Sequence, residues 1–283
     1  MSVSSKNFDQ NYYFNTCFGS DEFIRSKGRE ITKRVQKLID SLNLSNEMVV
    51  LEVGCGRGDT SLYIAKKVKR VIGIDYSKDA IKIANKVKSQ ADRKTEQKLK
   101  FLVMRADKMN FKDNIFDFII MIDTLDHLNK YEVENTFKSL MRMLKPDGKI
   151  FIKTCANKIL LDKTYRYYIH PMNKVLTTFD KFIKGIYYES LPDDPRTKEA
   201  KIQHINEADY FYIRKLMRKY KLKADIKAET GFLTNNKGIR SKIYNFIVTL
   251  YPVSQYFPLN VLFAHAFLIS AKKNDRSVKI QYS

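Results

Sequence analysis

Met48 to Gly58 reads MVVLEVGCGRG: an unbroken apolar run, one carboxylate near its end, then glycines at alternate positions. An apolar stretch this short, closed by glycines, reads as a strand buried on both faces, as in a parallel sheet covered by helices. In an open α/β sheet, ligands bind beyond the carboxyl ends of the strands, near the switch in strand order. Glycines at such an end permit a sharp turn and let a ligand approach the backbone with no Cβ in the way. About 20 residues further on, Val71 to Ile74 (VIGI) forms the next apolar run and ends at Asp75. An acidic residue there is placed to accept hydrogen bonds from both hydroxyls of a ribose.

The same rhythm continues outward. Thr60 to Val68 carries Leu62, Ile64, Ala65 and Val68 at helical spacing, and Ser77 can cap a helix striped by Ala80, Ile81, Ala84 and Val87. Leu99–Met104, Phe116–Ile122 and Lys149–Thr154 are further strands, and Glu132–Leu144 is an amphipathic helix stopped by Lys145-Pro146-Asp147-Gly148. Strands alternating with helices predict a doubly wound α/β sheet with right-handed crossovers. Lys223–Glu229 and Val261–Ala271 are expected to be a closing pair of strands. The predicted organisation is a single domain over 1–272. A helical N-terminal cap (1–44, with Ile31, Val35 and Leu38 at helical spacing) precedes a cofactor-binding core (45–154). A lid insertion (155–200) interrupts the rhythm with Tyr165, Tyr167, Tyr168, Phe179, Phe182, Tyr187 and Tyr188. The remainder of the sheet (201–272) and a flexible basic tail (273–283) follow.

The spacing of the loop separates two cofactors. Nicotinamide enzymes carry G-x-G-x-x-G, whose glycines admit a pyrophosphate to a helix N-terminus. Here the pattern is G-x-G-x-G with Glu52 two residues ahead of the first glycine. A carboxylate is unfavourable beside a pyrophosphate and favourable beside an ammonium and a sulfonium, which turns the reading from NAD toward S-adenosyl-L-methionine.

Glu52-Val53-Gly54-Cys55-Gly56-Arg57-Gly58, Gly73-Ile74-Asp75, Ala106-Asp107, Phe116-Asp117 through Leu125-Asp126-His127-Leu128, and Leu144-Lys145-Pro146-Asp147-Gly148 together resemble the ordered motifs of class I methyltransferases, in particular the type 11 methyltransferase-domain group. The resemblance covers Met48 to Thr154. It implies a Rossmann-like, mostly parallel seven-stranded sheet with a C-terminal antiparallel hairpin. It also implies roles. Gly54, Cys55 and Gly56 would hold the methionine part of the cofactor, and Glu52 would face its amino group. Asp75 would bind the ribose, Tyr76 would lie against the adenine, and Asp107 would accept from the adenine amino group, with the Lys108 amide facing a ring nitrogen. Asp123 would sit near the methionine amine and the transferring methyl. His127, next to Asp126 at a helix start, reads either as a cap or packing residue or, functionally, as a general base beside the methyl. Asp126 stands where Glu is commoner, and Asp147 where Gly is commoner. The segment around Tyr12 to Lys27 and the closing hairpin resemble members associated with glycan or lipid modification.

The expected activity is methyl transfer to an oxygen or nitrogen of a small molecule, glycan or lipid-linked substrate. Tyr12, Tyr13, His170 and His204 are further acceptor-side candidates. Two alternatives stay open: an RNA methyltransferase, and a non-catalytic module that binds the cofactor. The formal net charge of +21 is compatible with an anionic partner such as RNA or an acidic membrane face. It is equally compatible with a compositional bias, since the lysines are scattered rather than gathered. After Phe116–Ile122 stands Asp123-Thr124-Leu125-Asp126 and no Asn-Pro-Pro-Tyr-type tetrapeptide, so nucleic acid is not favoured. Cys17, Cys55 and Cys155 lack the paired spacing of a disulfide framework or a zinc site. Asp123, Asp126 and His127 resemble a metal-binding pattern of quinone O-methyltransferases, but Asp stands in place of Glu at both acidic positions, so no metal is expected. The polar N-terminus has no apolar leader run, so a cytoplasmic location is expected. Ile243 to Ala271 contains no Asp, Glu, Lys or Arg, but Pro252, Pro258 and Asn260 argue against a membrane span. Ile239, Ile243, Phe246, Ile247 and Leu250 share a helical face compatible with peripheral membrane contact or with packing against the lid.

Overall fold

In the computed structural model, which describes residues 2–155, 157–184, 191–230 and 239–274, the quoted run becomes strand β1, Val49–Val53. β1 lies between β2 (Arg70–Asp75) and β4 (Phe116–Ile122), parallel to both, with Glu52 beside Gly73 on one side and Ile120 on the other. With β3 (Leu99–Val103), β5 (Leu144–Cys155), β6 (Leu222–Thr230) and β7 (Ala264–Lys273), the seven strands run in the order β3-β2-β1-β4-β5-β7-β6. The first five are parallel; β7 is antiparallel to β5 and to β6. The chain leaves β1 toward one edge and returns to β4 on the other side. The adjoining ends of β1 and β4 are therefore the switch point at which such sheets bind ligands.

Alternate residues of β1 feed two core layers. Leu51 and Val53 join Phe137 and Leu140 of the Lys130–Met143 helix, and Ile213 and Leu216 of the Tyr210–Lys219 helix. Val50 joins Leu62 and Ala65 of the Asp59–Ala65 helix, Ala80 and Ala84 of the Lys78–Ser89 helix, and Phe8, Tyr13, Phe23 and Ile39 from the N-terminal segment. A strand with helices on both faces is buried on both, which is why MVVLEV, apart from Glu52, is apolar without alternation. Ser77 accepts from the Ala80 amide, capping its helix as its position suggested. Asp117 accepts from the Val49 amide at 2.8 Å and from Lys145 Nζ at 2.6 Å, fixing the opposite end of the sheet, away from the glycine loop.

Several boundaries differ from the sequence reading. β5 begins at Leu144, five residues early, because Leu144 already pairs with Phe116 before a register shift carries the chain through Pro146-Asp147-Gly148. Residues 259–263 form a short helix, so β7 starts at Ala264 instead of Val261. The aromatic stretch is helical: a π-helical run, Leu160–Ile169, passes into a helix over His170–Lys184. Tyr165 and Ile169 pack with Val248 and Phe263 in a third, smaller cluster, and the Tyr168 hydroxyl donates to the Ile247 carbonyl. Tyr187 and Tyr188 lie outside the described residues. Among the described residues, no helix is long and apolar enough to cross a membrane.

Candidate active site

At the carboxyl ends of β1, β2 and β4 lies a cavity of about 500 Å³, within the range of small-molecule sites. Its walls come from the glycine loop, the ends of β2 and β4, the N-terminal segment through Phe8, Tyr12 and Tyr13, and residues 197–204. Two side chains lock the N-terminal wall. Arg57, buried within the loop, donates to the Tyr13 and Phe18 carbonyls at 2.9 and 3.0 Å and stacks on Phe23. Gln203 Nε2 donates to the Asn7 carbonyl, joining the two covering segments.

The loop itself is pinned to β2. The Gly54 and Cys55 amides both donate to the Ile74 carbonyl, and the Gly56 amide donates to Asp75 Oδ2 at 3.0 Å. Gly56 has φ +50°, and a Cβ there would meet the Tyr13 ring at 3.3 Å. Gly58, at φ +78°, leaves no room for a side chain, since a Cβ would fall 2.8 Å from Ala84 and Phe101. Asp75 also accepts from the Ser77 amide at 2.8 Å. Each Asp75 oxygen is thus oriented by one amide and keeps a second acceptor direction. Burial raises the Asp75 pKa. Glu52 is fully buried, accepts from Ser61 Oγ, and is pushed up to about 8, first by burial and then by the charges of Asp59 and Asp75.

The far side of the cavity carries Tyr76, Asp107, Arg105 and Glu132. Arg105 grips Asp107 through Nε and Nη2 and reaches Glu132 at 2.6 Å, so the Asp107 carboxylate is held in place by a guanidinium. Lys108 departs from the expectation. It does not line the cavity, and its amide donates to the Arg105 carbonyl at 3.1 Å because residues 106–108 close a 3₁₀ turn.

At the end of β4, Asp123 adopts φ +48°, and Lys153 Nζ donates to both of its oxygens at 2.6 and 2.7 Å. His127 Nδ1 lies 3.0 Å from the Gln203 carbonyl. A carbonyl can only accept, so Nδ1 carries the hydrogen, and in the neutral ring Nε2 is the acceptor. Asp126 is fully buried next to His127 Nε2 at 3.8 Å and His204 Nε2 at 3.4 Å. Burial drives the Tyr12 and Tyr13 hydroxyls far above the usual phenol range, so both stay protonated. Burial also lowers the His204 pKa.

The cavity therefore gathers Glu52, Gly54, Cys55, Gly56, Asp75, Tyr76, Asp107, Asp123 and His127, with Tyr12, Tyr13 and His204. His170 lies elsewhere, beside Asp193. Among the described residues, the aromatics of the 155–197 stretch do not line the cavity; Tyr165 and Tyr168 pack with Val248 and Phe263, while Tyr167, Phe179 and Phe182 are exposed. Arg57, Arg105, Glu132 and Gln203 line it without having been singled out, and Lys153 holds Asp123 from β5.

The donor set suits one cofactor. In a chain of formal charge +21, the cavity is lined by Glu52, Asp59, Asp75, Asp107, Asp123, Glu132 and Glu199, against Arg57 and Arg105. Both arginines are spent on Asp59 and on Asp107 with Glu132. A surplus of carboxylates fits a ligand with an ammonium, a sulfonium and ribose hydroxyls, and repels a pyrophosphate. S-adenosylmethionine is that ligand.

Comparison with known proteins agrees. Residues 50–148 match a family model described as a methyltransferase domain. A ubiquinone/menaquinone biosynthesis C-methyltransferase from Rickettsia bellii is 31% identical over 204 residues, which cover 66% of this chain and 74% of that protein. Phosphoethanolamine N-methyltransferase 1 of Zea mays is 33% identical over 142 residues, 49% of this chain but only 26% of the maize protein, so the match spans about a quarter of that relative. A solved SAM-dependent methyltransferase from Methanosarcina mazei superimposes with a TM-score of 0.53 at 18% identity, covering 86% of this chain and 98% of that one, a likeness of fold. Motifs, strand order and a relative matched over most of its length converge, and the chain belongs to the class I S-adenosylmethionine-dependent methyltransferases.

Proposed function

We propose that this chain transfers a methyl group to a nitrogen or oxygen of a polar acceptor, either a small molecule or the polar end of a glycan or lipid-linked substrate. The observation that carries this reading is the tautomer of His127. With Nδ1 committed to the Gln203 carbonyl, Nε2 is left as a proton acceptor in the cavity wall, with the buried Asp126 carboxylate beside it to stabilise the imidazolium. A hydroxyl, or an amine that is protonated in water, must give up a proton before it can attack the methyl, and a base so placed serves that need. The names of the relatives point to acceptor atoms of two kinds, the nitrogen of phosphoethanolamine for the maize protein and a carbon for the Rickettsia protein. His127, His204, Gln203, Glu199 and Thr197 make a polar wall, which supports the amine or hydroxyl.

When bound, the cofactor supplies a methyl already activated on sulfur, so the chain's work is alignment, exclusion of water and proton removal. Asp75 would hold the ribose and Glu52 the amino group, while the Asp123–Lys153 pair fixes the floor between cofactor and acceptor. Three free cysteines support a reducing, cytoplasmic setting. The reading is tested by incubating the protein with S-adenosylmethionine and a panel of amines, phosphorylated amines and sugars, followed by mass spectrometry of the products. A product 14 Da heavier with equimolar demethylated cofactor is expected, and exclusive methylation of RNA would overturn it.

Glu52 gives this reading a pH signature. Its proton is retained up to about pH 8 in the free protein, whereas a bound ammonium favours the carboxylate, so binding expels the proton. Cofactor affinity is expected to rise with pH, by at most about tenfold per unit, and to level off above about 8. In the free protein the sign is opposite. A raised carboxyl pKa means that this group's stabilising contribution, present below about 4.5, is lost as pH climbs toward 8. Calorimetry in buffers of different ionisation enthalpy measures the released proton. In Glu52→Gln the affinity should be weaker and its pH dependence flat; a wild-type affinity independent of pH would contradict the assignment.

A further inference from the structure

Asp126 presents a problem that methyl transfer alone does not solve. It is fully buried, and its Oδ1 has no hydrogen-bond partner. Its Oδ2 has only long contacts: His204 Nε2 at 3.4 Å, and Cys155 Sγ and His127 Nε2 both at 3.8 Å. Desolvating a carboxylate in this way is costly without a cation or short hydrogen bonds. Lys153 of β5, which also borders the site, is spent on Asp123.

We infer that Asp126, Cys155 and His204 bind a zinc ion at the acceptor end of the cavity. Their ligand atoms all lie within 4.8 Å of one another. Zinc bonds of about 2.0–2.3 Å at tetrahedral angles separate ligand atoms by roughly 3.3–3.8 Å. The 3.4 Å and 3.8 Å separations from Asp126 already match. A mixed imidazole, thiolate and carboxylate set suits zinc better than magnesium or calcium, which prefer oxygen ligands alone. The three residues arrive from separate segments, the turn after β4, the end of β5 and the loop after the Lys198–Gln203 helix. Two hydrogen bonds tie the first of these segments to the third: the Asn206 amide donates to the Asp126 carbonyl at 3.0 Å, and Asn206 Nδ2 donates to the Leu125 carbonyl. Binding releases the Cys155 thiol proton to solvent and forms the zinc–thiolate bond.

Three protein ligands leave a fourth position, the pattern of a working zinc site rather than a structural one. Asp126 itself is sealed, but His204 and Cys155 line the cavity, so the fourth position faces the acceptor. A hydroxyl or amine bound there loses its proton more readily, and His127 Nε2 stands beside Asp126 to receive it. This role rests on the methyl-transfer reading; the zinc binding does not.

The test is metal analysis of the full chain, stripped with chelator, supplied with zinc and desalted. About one zinc per chain is expected. Cobalt substitution should give tetrahedral absorption bands together with a near-ultraviolet thiolate-to-cobalt band, and Cys155→Ser should lose the latter. His204→Ala and Asp126→Asn, checked for folding by circular dichroism, should lose more affinity than the roughly 10–100-fold typical of removing an orienting partner. No retained zinc in the wild type, or zinc retained equally in all three variants, overturns the inference. Calorimetry of the same wild-type samples with the demethylated cofactor separates the two claims, since cofactor binding without zinc would sink this site and leave the methyltransferase reading standing.

Discussion

Asp75→Ala is expected to weaken S-adenosylmethionine binding at least a hundredfold. A buried carboxylate accepting from two ribose hydroxyls contributes about 1.5–3 kcal/mol per bond, so losing both costs about 3 kcal/mol or more. The substitution also frees the Gly56 and Ser77 amides that Asp75 now holds, loosening the glycine loop. Asp75→Asn separates the two contributions, because it keeps an oxygen for one amide while losing the charge; an intermediate affinity is expected. Thermal melting in the absence of ligand checks that the sheet is intact. Unchanged affinity in Asp75→Ala would mean that the ribose lies elsewhere.

His127→Asn should leave cofactor affinity near the wild-type value and lower kcat about a hundredfold or more, the range of a positioned general base. Asparagine retains an N–H for the Gln203 carbonyl, so the contact between the turn after β4 and the covering segment survives while the proton acceptor is lost. The loss should fall on kcat and not on KM, and should shrink for acceptors that are already deprotonated. An equal loss across acceptors of every acidity would assign His127 to packing, where Phe8 and His204 already touch its ring.

The cofactor half of the site was legible because its residues are local in sequence. A strand, a glycine turn and an acidic strand end each follow from a few adjacent side chains, and parallel pairing of β1 with β2 brings Glu52 and Asp75 to one end. In the acceptor half single residues were legible, Tyr12, Tyr13, Asp123, His127 and His204 among them, but their partners were not. Asp123 meets Lys153 thirty residues away, and His127 meets Gln203 seventy-six residues away. Nothing in either neighbourhood announces the partner; only the β4–β5 pairing and the return of the chain after the aromatic stretch create it. Asp126 and His127 stood in the motif, yet the cluster with Cys155 and His204 needed three segments to be folded together. The sequence left the aromatics of 155–197 open between a pocket wall and simple packing for a related reason. Tyr165 and Tyr168 look like ligand-stacking residues, but a π-helical run turns them toward Val248 and Phe263. Lys108 was misplaced because a motif fixes residue types, whereas the 3₁₀ turn decides which amides stay free.

The acidic lining of this cavity, within a strongly basic chain, is the centre of the account, and one calorimetric series tests it. S-adenosylmethionine, its demethylated product and NAD are titrated into the wild-type protein at pH 8. Binding of the first two at one site per chain, with no heat from NAD, is the expected result. Saturable binding of NAD with no response to either methionine cofactor would contradict it.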